Sequence, residues 1–442
     1  MTADATRQNG QDTPYDLLGI GFGPSNLALA IALDEHNSGA APNERITTRF
    51  LERQPRFGWH RGLLIDDATM QVSFPKDLVT MRDPTSDFSF LCYLKEKNRL
   101  VDFLNQKTLF PLRAEFHDYF EWAAGRVGQL VEYAAEAVAV EPVEEAGEIR
   151  WFDVVTESPT GERVRRRARN LSVAVGLRPH LPPGTVLSDR VWHSSQLVPR
   201  VAERLAGGGP VRRVLVVGAG QSAAETVAYL HRNFADAEVC AVFAKYGYTP
   251  ADDSPFANRI FDPEAVDVYY GAPPEVKRSL LDYHRGTNYS VVDTELIESL
   301  YATMYREGFH GRRRLRMLNV SRVHSVHEHA GGLDVTVEDL PTGQRETLAA
   351  DLVVHATGYR SHDLGSLLGD AAKLCVRDEE DALLVRRDHS VCLASQVSAG
   401  IYLQGGTEHS HGLSSTLLST VAVRAGEIRD SLLTRCSTVT AS

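Results

Sequence analysis

Two glycine turns, about two hundred residues apart, restrict the fold of this chain more than anything else in it. The first lies in YDLLGIGFGPSN (Tyr15–Asn26). A short apolar strand runs into Gly21 and Gly23, and an apolar helix follows over Leu27–Leu33. Glycines there let the backbone approach a pyrophosphate, whose charge rests on the helix N-terminus. The third glycine of the usual Gly-x-Gly-x-x-Gly is replaced by Asn26. The second turn lies in RVLVVGAGQSAAE (Arg213–Glu225), where strand, Gly218-Ala219-Gly220 and a helix from Ser222 repeat the design. Two dinucleotide-binding units in one chain point to a flavin and a nicotinamide. The second strand, Ile46–Glu52, ends in an acid, the residue type that takes ribose hydroxyls at that place.

Composition narrows the class. A length of 442 residues allows two or three domains. A net charge of -11, with only the short basic runs Arg165–Arg167 and Arg312–Arg314, argues against nucleic acid and for solvated faces. The five cysteines show no CxxC or metal spacing, which fits a reducing cytoplasm, and no metal is expected. No apolar run reaches membrane-spanning length, so no membrane association is expected. The first dozen residues are polar, lack a signal-peptide core and read as a disordered tail.

A flavin beside a nicotinamide supports hydride transfer from the second to the first. A disulfide reductase would add a CxxxxC pair, which is absent, and an amine oxidase would not carry the second unit. A monooxygenase needs a closed pocket and positioning, with few conventional acid or base side chains. The irregular, aromatic-rich stretch Arg53–Arg113 reads as site-forming loops, and Asp252–Phe309 as mainly helical. Gly412–Ser419 reads as the start of the last helix.

The motifs GFGPSN, FGWH (Phe57–His60), MQVSFPKDLVTMRDPTSDFSFLCYL (Met70–Leu94), GAGQSAAE (Gly218–Glu225), DDSPFAN (Asp252–Asn258), TNYSVVD (Thr287–Asp293), ATGY (Ala356–Tyr359) and HGLSSTLLS (His411–Ser419) resemble those of the microbial N-hydroxylating flavin monooxygenases. Within that family the likeness is greatest to the L-ornithine N5-monooxygenases of siderophore pathways, and it spans about Tyr15 to Ile428. It implies that Gly21, Gly23, Pro24 and Asn26 hold the FAD pyrophosphate and Glu52 its ribose. Trp59, His60 and Gln71 would line the flavin, with Thr416, Leu417 and Leu418 closing over it. Gly218, Gly220, Gln221 and Ser222 would hold NADPH. Lys76 would take the ornithine carboxylate, Asn258 and Asn288 the same amino acid, and Ser419 would lie near it. No side chain is implied as a general acid or base.

The activity implied is conversion of L-ornithine to N5-hydroxyornithine with O2, through a C4a-hydroperoxyflavin, in a cytoplasmic homotetramer. Alternatives are an L-lysine N6-monooxygenase, a diamine N-monooxygenase and a non-catalytic flavin-binding protein. Three positions depart from the family pattern. Ala244 replaces an arginine that holds the NADPH 2′-phosphate in relatives, leaving Lys245 to supply the charge as a point cation rather than a fork. Pro75 stands where leucine is common, and Ser415 where aspartate is. The expected fold is α/β, with two nested Rossmann-like domains and a small helical substrate region. Residues 1–185 and 351–442 form the FAD domain, 186–255 and 311–350 the NADPH domain, and 256–310 the helical region.

Overall fold

The strand Tyr15–Ile20 lies inside a seven-stranded sheet of the computed structural model, which describes residues 13–440, with side chains to 436. The tail expected over residues 1–12 falls outside the described residues. Tyr15–Ile20 is flanked in parallel by Thr48–Glu52 and by Arg163–Val173. Leu17 and Leu18 are both fully buried, because alternate residues enter opposite cores. Leu17 joins the helices Pro24–Gly39, Arg113–Arg126 and Val421–Thr440. Leu18 and Ile20 join Phe152, Val154 and apolar residues of the returning segment between Leu368 and Leu403. Helix Pro24–Gly39 is buried without a break from Asn26 to Leu33, which explains why its sequence lacks a polar face there.

Strand Arg163–Val173 serves two structures. Its first half pairs antiparallel with Glu148–Glu157, part of a meander with Glu136–Glu145. Its second half pairs in parallel with Tyr15–Ile20 on one edge and Gly400–Leu403 on the other. The arginine run in its first half is not simply a solvated face. Arg167 grips the buried Asp153 with two bonds of 2.7 and 2.9 Å, Arg165 bonds Glu141 at 2.6 Å, and Arg166 pairs with Glu132.

The second sheet is entirely parallel, in the order Leu315–Leu318, Glu238–Val242, Arg213–Val217, Leu352–His355, Val191–His193. Val214 and Val216 face the helices Leu197–Ala206, Gln221–Asn233 and Thr294–Phe309. Leu215 faces a three-stranded antiparallel sheet of Ser321–His329, Gly332–Asp339 and Arg345–Ala350. Two of the expected boundaries therefore move. Leu352–His355 is a strand of the second sheet, so the return to the first domain begins at Ala356, after that strand is paired. Helix Thr294–Phe309 packs through Leu296, Ile297, Leu300 and Met304 on the second core, so the helical region proper is the pair Pro263–Gly271 and Pro274–His284. HGLSSTLLS also differs from its reading as helix. It forms two short turns, Leu413–Thr416 and Leu418–Thr420, separated by an extended Leu417 (ψ 160), and the helix starts at Val421.

Candidate active site

The first glycine turn is fixed from three sides. Gly21 has φ +83, and a Cβ there would stand 2.5 Å from the Ala174 carbonyl oxygen. Gly23 precedes helix Pro24–Gly39 with no side-chain cap, Pro24 occupies the first turn, and a Cβ on Gly23 would meet nothing within 4 Å. The helix therefore presents uncapped N–H groups to an open cradle, which suits an anion. Asn26 is placed differently from the role the resemblance gives it. Its side chain is fully buried, donates to the Gly21 carbonyl at 2.6 Å and accepts from Ser172 Oγ and Gln404 Nε2, each at 2.7 Å. The amide shapes the turn from behind instead of reaching a ligand. Glu52 accepts from the Phe22 and Gln54 N–H groups at 2.7 and 2.9 Å, one per carboxylate oxygen, which leaves lone pairs for a ribose.

Trp59 and His60 lie between helix Arg113–Arg126 and the ATGY segment. Trp59 packs on Phe120 at 5.3 Å, and the His60 ring lies 6.1 Å from that of Tyr359 in ATGY. His60 keeps exposed surface, yet protein packed closely around it, then Arg113 and His117, lower its pKa to about 4. Thr416, Leu417 and Leu418 are half-buried and Ser419 is buried, 9% exposed. Behind them Arg424, itself buried, donates to the Ser415 carbonyl at 2.6 Å and to Ser25 Oγ at 3.2 Å, tying the returning segment to the first glycine turn.

The second glycine turn repeats the geometry. Gly218 has φ +143, with a virtual Cβ 2.3 Å from the Ala356 carbonyl oxygen, and Gly220 begins helix Gln221–Asn233 without a side-chain cap. Ser222 lies in the first turn of that helix. Gln221 is spent internally. Its Oε1 accepts from the Asp293 N–H at 2.9 Å, and its Nε2 donates to Asp293 and Glu225, each at 3.0 Å. Gln71 likewise donates to Asp293 Oδ2 at 2.6 Å, which ties it to the junction of the two domains. Lys245 follows strand Glu238–Val242 as expected, but its ammonium donates to the Ser290 carbonyl at 2.8 Å.

The loops expected to hold an amino acid converge. Asp77 anchors SFPKDLVT from inside, accepting from the N–H groups of Val79, Thr80 and Phe90 at 3.0, 2.7 and 2.7 Å. Next to this anchor, Lys76 is half-buried, and its ammonium lies 5.9 Å from the centre of the Phe261 ring. That ammonium has no ion pair or hydrogen bond to any described residue. Phe261 ends the turn Ala257–Phe261, which carries Asn258 and packs against Leu413–Thr416. Asn258 Nδ2 donates to the Asp253 carbonyl at 2.7 Å, leaving its carbonyl oxygen available. Asn288 is half-buried, in a segment joined to DDSPFAN through the Asp252 N–H and Gly286 carbonyl at 3.2 Å. Tyr289 bonds Glu408, which brings the same segment onto the returning chain.

The sequence reading missed the side chains that hold these parts in place. Arg113 and Glu225 form a buried two-bond pair at 2.8 and 2.7 Å that locks a helix of the first domain to one of the second. Glu225 and Asp293 sit inside quoted motifs, so the signal was present without a role. Arg424 shows only as a cation in the otherwise apolar VAVRAG.

Burial keeps several histidines neutral. His355 falls to about 4, by burial and then His193, and His411 to about 3, by burial and then its stacked neighbour His389. These two groups bind protons in the unfolded chain below pH 6.5 but not in the fold. Stability is therefore expected to be full above about pH 6.5 and to fall as pH drops toward 4. Denaturation midpoints at pH 7.5, 6 and 5 check this; midpoints independent of pH across that range would contradict it.

Two parallel-stranded units, each opening on an uncapped glycine turn and joined through Arg113, Glu225 and Asp293, have the fold of a two-nucleotide oxidoreductase. The model of the family described as L-lysine 6-monooxygenase/L-ornithine 5-monooxygenase matches residues 13–361. The L-ornithine N(5)-monooxygenase of Burkholderia cepacia is 42% identical over 91% of this chain and 90% of its own. Among solved structures, the Kutzneria sp. 744 ornithine N-hydroxylase with reduced FAD, NADP+ and L-ornithine superposes with a TM-score of 0.90 at 43% identity, covering 96% of this chain and 100% of that one. The Pseudomonas aeruginosa ornithine hydroxylase gives 0.89 at 35% identity, over 96% and 100%. The chain belongs to the L-lysine 6-monooxygenase/L-ornithine 5-monooxygenase family.

Proposed function

We propose that the protein is an L-ornithine N5-monooxygenase, using FAD and NADPH to convert ornithine and O2 to N5-hydroxyornithine and water. The observation that carries this reading is Lys76, a half-buried cation with no ion pair or hydrogen bond among the described residues, held beside the Asn258 turn. A carboxylate satisfies such a group, and a charge-assisted bond fixes where the far end of the amino acid lies. Asn258 and Asn288 then read the remaining polar groups of the α-carbon. The open cradle at Gly23 and the uncapped helix fit the FAD pyrophosphate, and Glu52 its ribose. Gly218, Gly220 and the N-terminal turn at Ser222 fit the second dinucleotide in the same way.

The bound flavin, reduced by NADPH, supplies the activation of O2. The side chains supply position and exclusion of water. Lys76 and the two asparagines set the reach of the substrate amine, while Trp59, His60 and the segment Thr416–Ser419 close the cleft. His60 stays neutral at pH 7, so it adds no charge against the amine. The homologous names support ornithine; the family description also covers lysine, and product per NADPH with each amine separates the two. The described residues hold no helix long and apolar enough to cross a membrane. We place the enzyme in the cytoplasm as a homotetramer, at the step that supplies a hydroxylamine to hydroxamate siderophores or related metabolites.

Lys245 accounts for preference between nicotinamides. Lys245→Ala is expected to raise the NADPH Michaelis constant roughly tenfold, the worth of one charge-assisted contact at about 1.5 kcal/mol, and to leave NADH nearly unchanged. Steady-state kinetics with both cofactors checks it, and equal effects would remove Lys245 from the 2′-phosphate.

A further inference from the structure

The segment Thr287–Asp293 approaches the second glycine turn at Gly220, is bonded to it by Gln221, and is held as well by Lys245, beyond strand Glu238–Val242. A Cβ on Gly220 would lie 3.5 Å from Ser290 Cα. The Lys245 ammonium donates to the Ser290 carbonyl at 2.8 Å. Gln221 bonds Asp293 from both ends of its amide, at 2.9 and 3.0 Å. The same segment carries Asn288, and Ser290 adopts φ +56, a left-handed conformation that a serine holds only when its surroundings enforce it.

Asp293 shows what the enforcement serves. It stands at the N-cap of helix Thr294–Phe309, where an aspartate ordinarily accepts an N–H of the first turn, yet its side chain makes no cap bond. The carboxylate oxygen Oδ2 accepts instead from Gln71 at 2.6 Å and Gln221 at 3.0 Å, one from the first domain's loop and one from the second's helix. Gln221 continues to Glu225 at 3.0 Å, and Glu225 to Arg113. One unbroken chain of polar contacts thus runs from the loop that precedes Lys76, through the Asn288 segment, to the nicotinamide turn.

We propose that Thr287–Asp293 couples the amino-acid site to the nicotinamide site, with Asp293 as the positioning residue that joins them. The inference rests on the assignment of those two sites made above. A nucleotide that settles on Gly220 and draws on Lys245 acts on Ser290, and the shift reaches Asn288 two residues away. Coupling is reciprocal, so ornithine tightens NADP+ by the same factor that NADP+ tightens ornithine.

The test is calorimetric binding of NADP+ to the FAD-loaded enzyme, with and without saturating ornithine, and of ornithine with and without NADP+. Wild type is expected to show coupling of about fivefold or more. Asp293→Ala should reduce it to less than about twofold, and Asp293→Asn should retain it, because the amide oxygen still accepts from both glutamines. Gln221→Leu cuts the same link from the other side and should match Asp293→Ala, which covers the case in which that variant fails to fold. Both ligands binding wild type without coupling, or coupling intact in Asp293→Ala or Gln221→Leu, would overturn the proposal alone. Absence of ornithine binding to wild type would overturn the site assignment and the proposal with it.

Discussion

Gly21→Ala is expected to purify colourless, while Gly218→Ala purifies yellow but loses its use of NADPH. Gly21 sits at φ +83, where a residue with a Cβ costs roughly 1–2 kcal/mol more than glycine. Its Cβ would also fall 2.5 Å from the Ala174 carbonyl oxygen and 3.3 Å from Val175 Cα, both backbone atoms just past the neighbouring strand Arg163–Val173. Backbone cannot swing aside, so the turn must move, at about 1–3 kcal/mol more. It moves away from Ala174, into the volume a pyrophosphate needs. Gly218 stands in the same relation to the Ala356 carbonyl oxygen, at 2.3 Å, but on the other sheet. The pair of variants therefore assigns each turn to its dinucleotide by colour and by NADPH consumption. A yellow Gly21→Ala enzyme with normal turnover would mean that the first turn does not hold the flavin.

Lys76→Ala is expected to raise the ornithine Michaelis constant by roughly 30- to 150-fold, with flavin reduction by NADPH nearly normal. Removing one partner of a buried charge pair costs about 2–5 kcal/mol, and the half-exposed position of Lys76 argues for about 2–3. Nothing places Lys76 in hydride transfer, so anaerobic flavin reduction separates its role from a general collapse of the site. Chain length makes the same point. Lysine carries one more methylene than ornithine, and an amine misplaced by about 1 Å loses on the order of a hundredfold in rate. Putrescine keeps the length but has no carboxylate to pair with Lys76. Efficient coupling of putrescine oxidation, or an unchanged ornithine constant in Lys76→Ala, would show that Lys76 does not read a carboxylate.

Much of the fold was legible because its signals are local. Each glycine turn follows its own strand, and the apolar alternation at Leu17-Leu18 and Val214-Leu215 already requires a sheet covered on both faces. Ownership of elements was not legible. Leu352–His355 reads like any buried strand, and only its pairing with Arg213–Val217 and Val191–His193 assigns it to the second sheet. The site divides in the same way. Motifs brought Lys76, Asn258 and Asn288 into view, but the direction of a side chain depends on distant partners. Asn26 turns inward because Ser172 and Gln404 receive it, and Gln71 turns to Asp293, more than two hundred positions along the chain. HGLSSTLLS reads as a helix start, yet it is rich in serine with a glycine and a threonine, poor helix formers, and the extended Leu417 divides it before the helix begins.

The first glycine turn is synthesised early and finished late. Its Asn26 amide is completed by Gln404, its parent sheet by strand Gly400–Leu403, and its helix is tied through Ser25 to Arg424. The parallel strands of the second sheet, by contrast, all lie between Val191 and His355. Domains generally form as their residues leave the ribosome, the earlier ones first. Here the order is inverted: the inner domain has all its strands while the outer one, begun before it, still waits for its last. The nascent chain thus carries a first glycine turn that lacks its Gln404 and Arg424 contacts, and a parent sheet that lacks its last strand, until the C-terminal segment has been made.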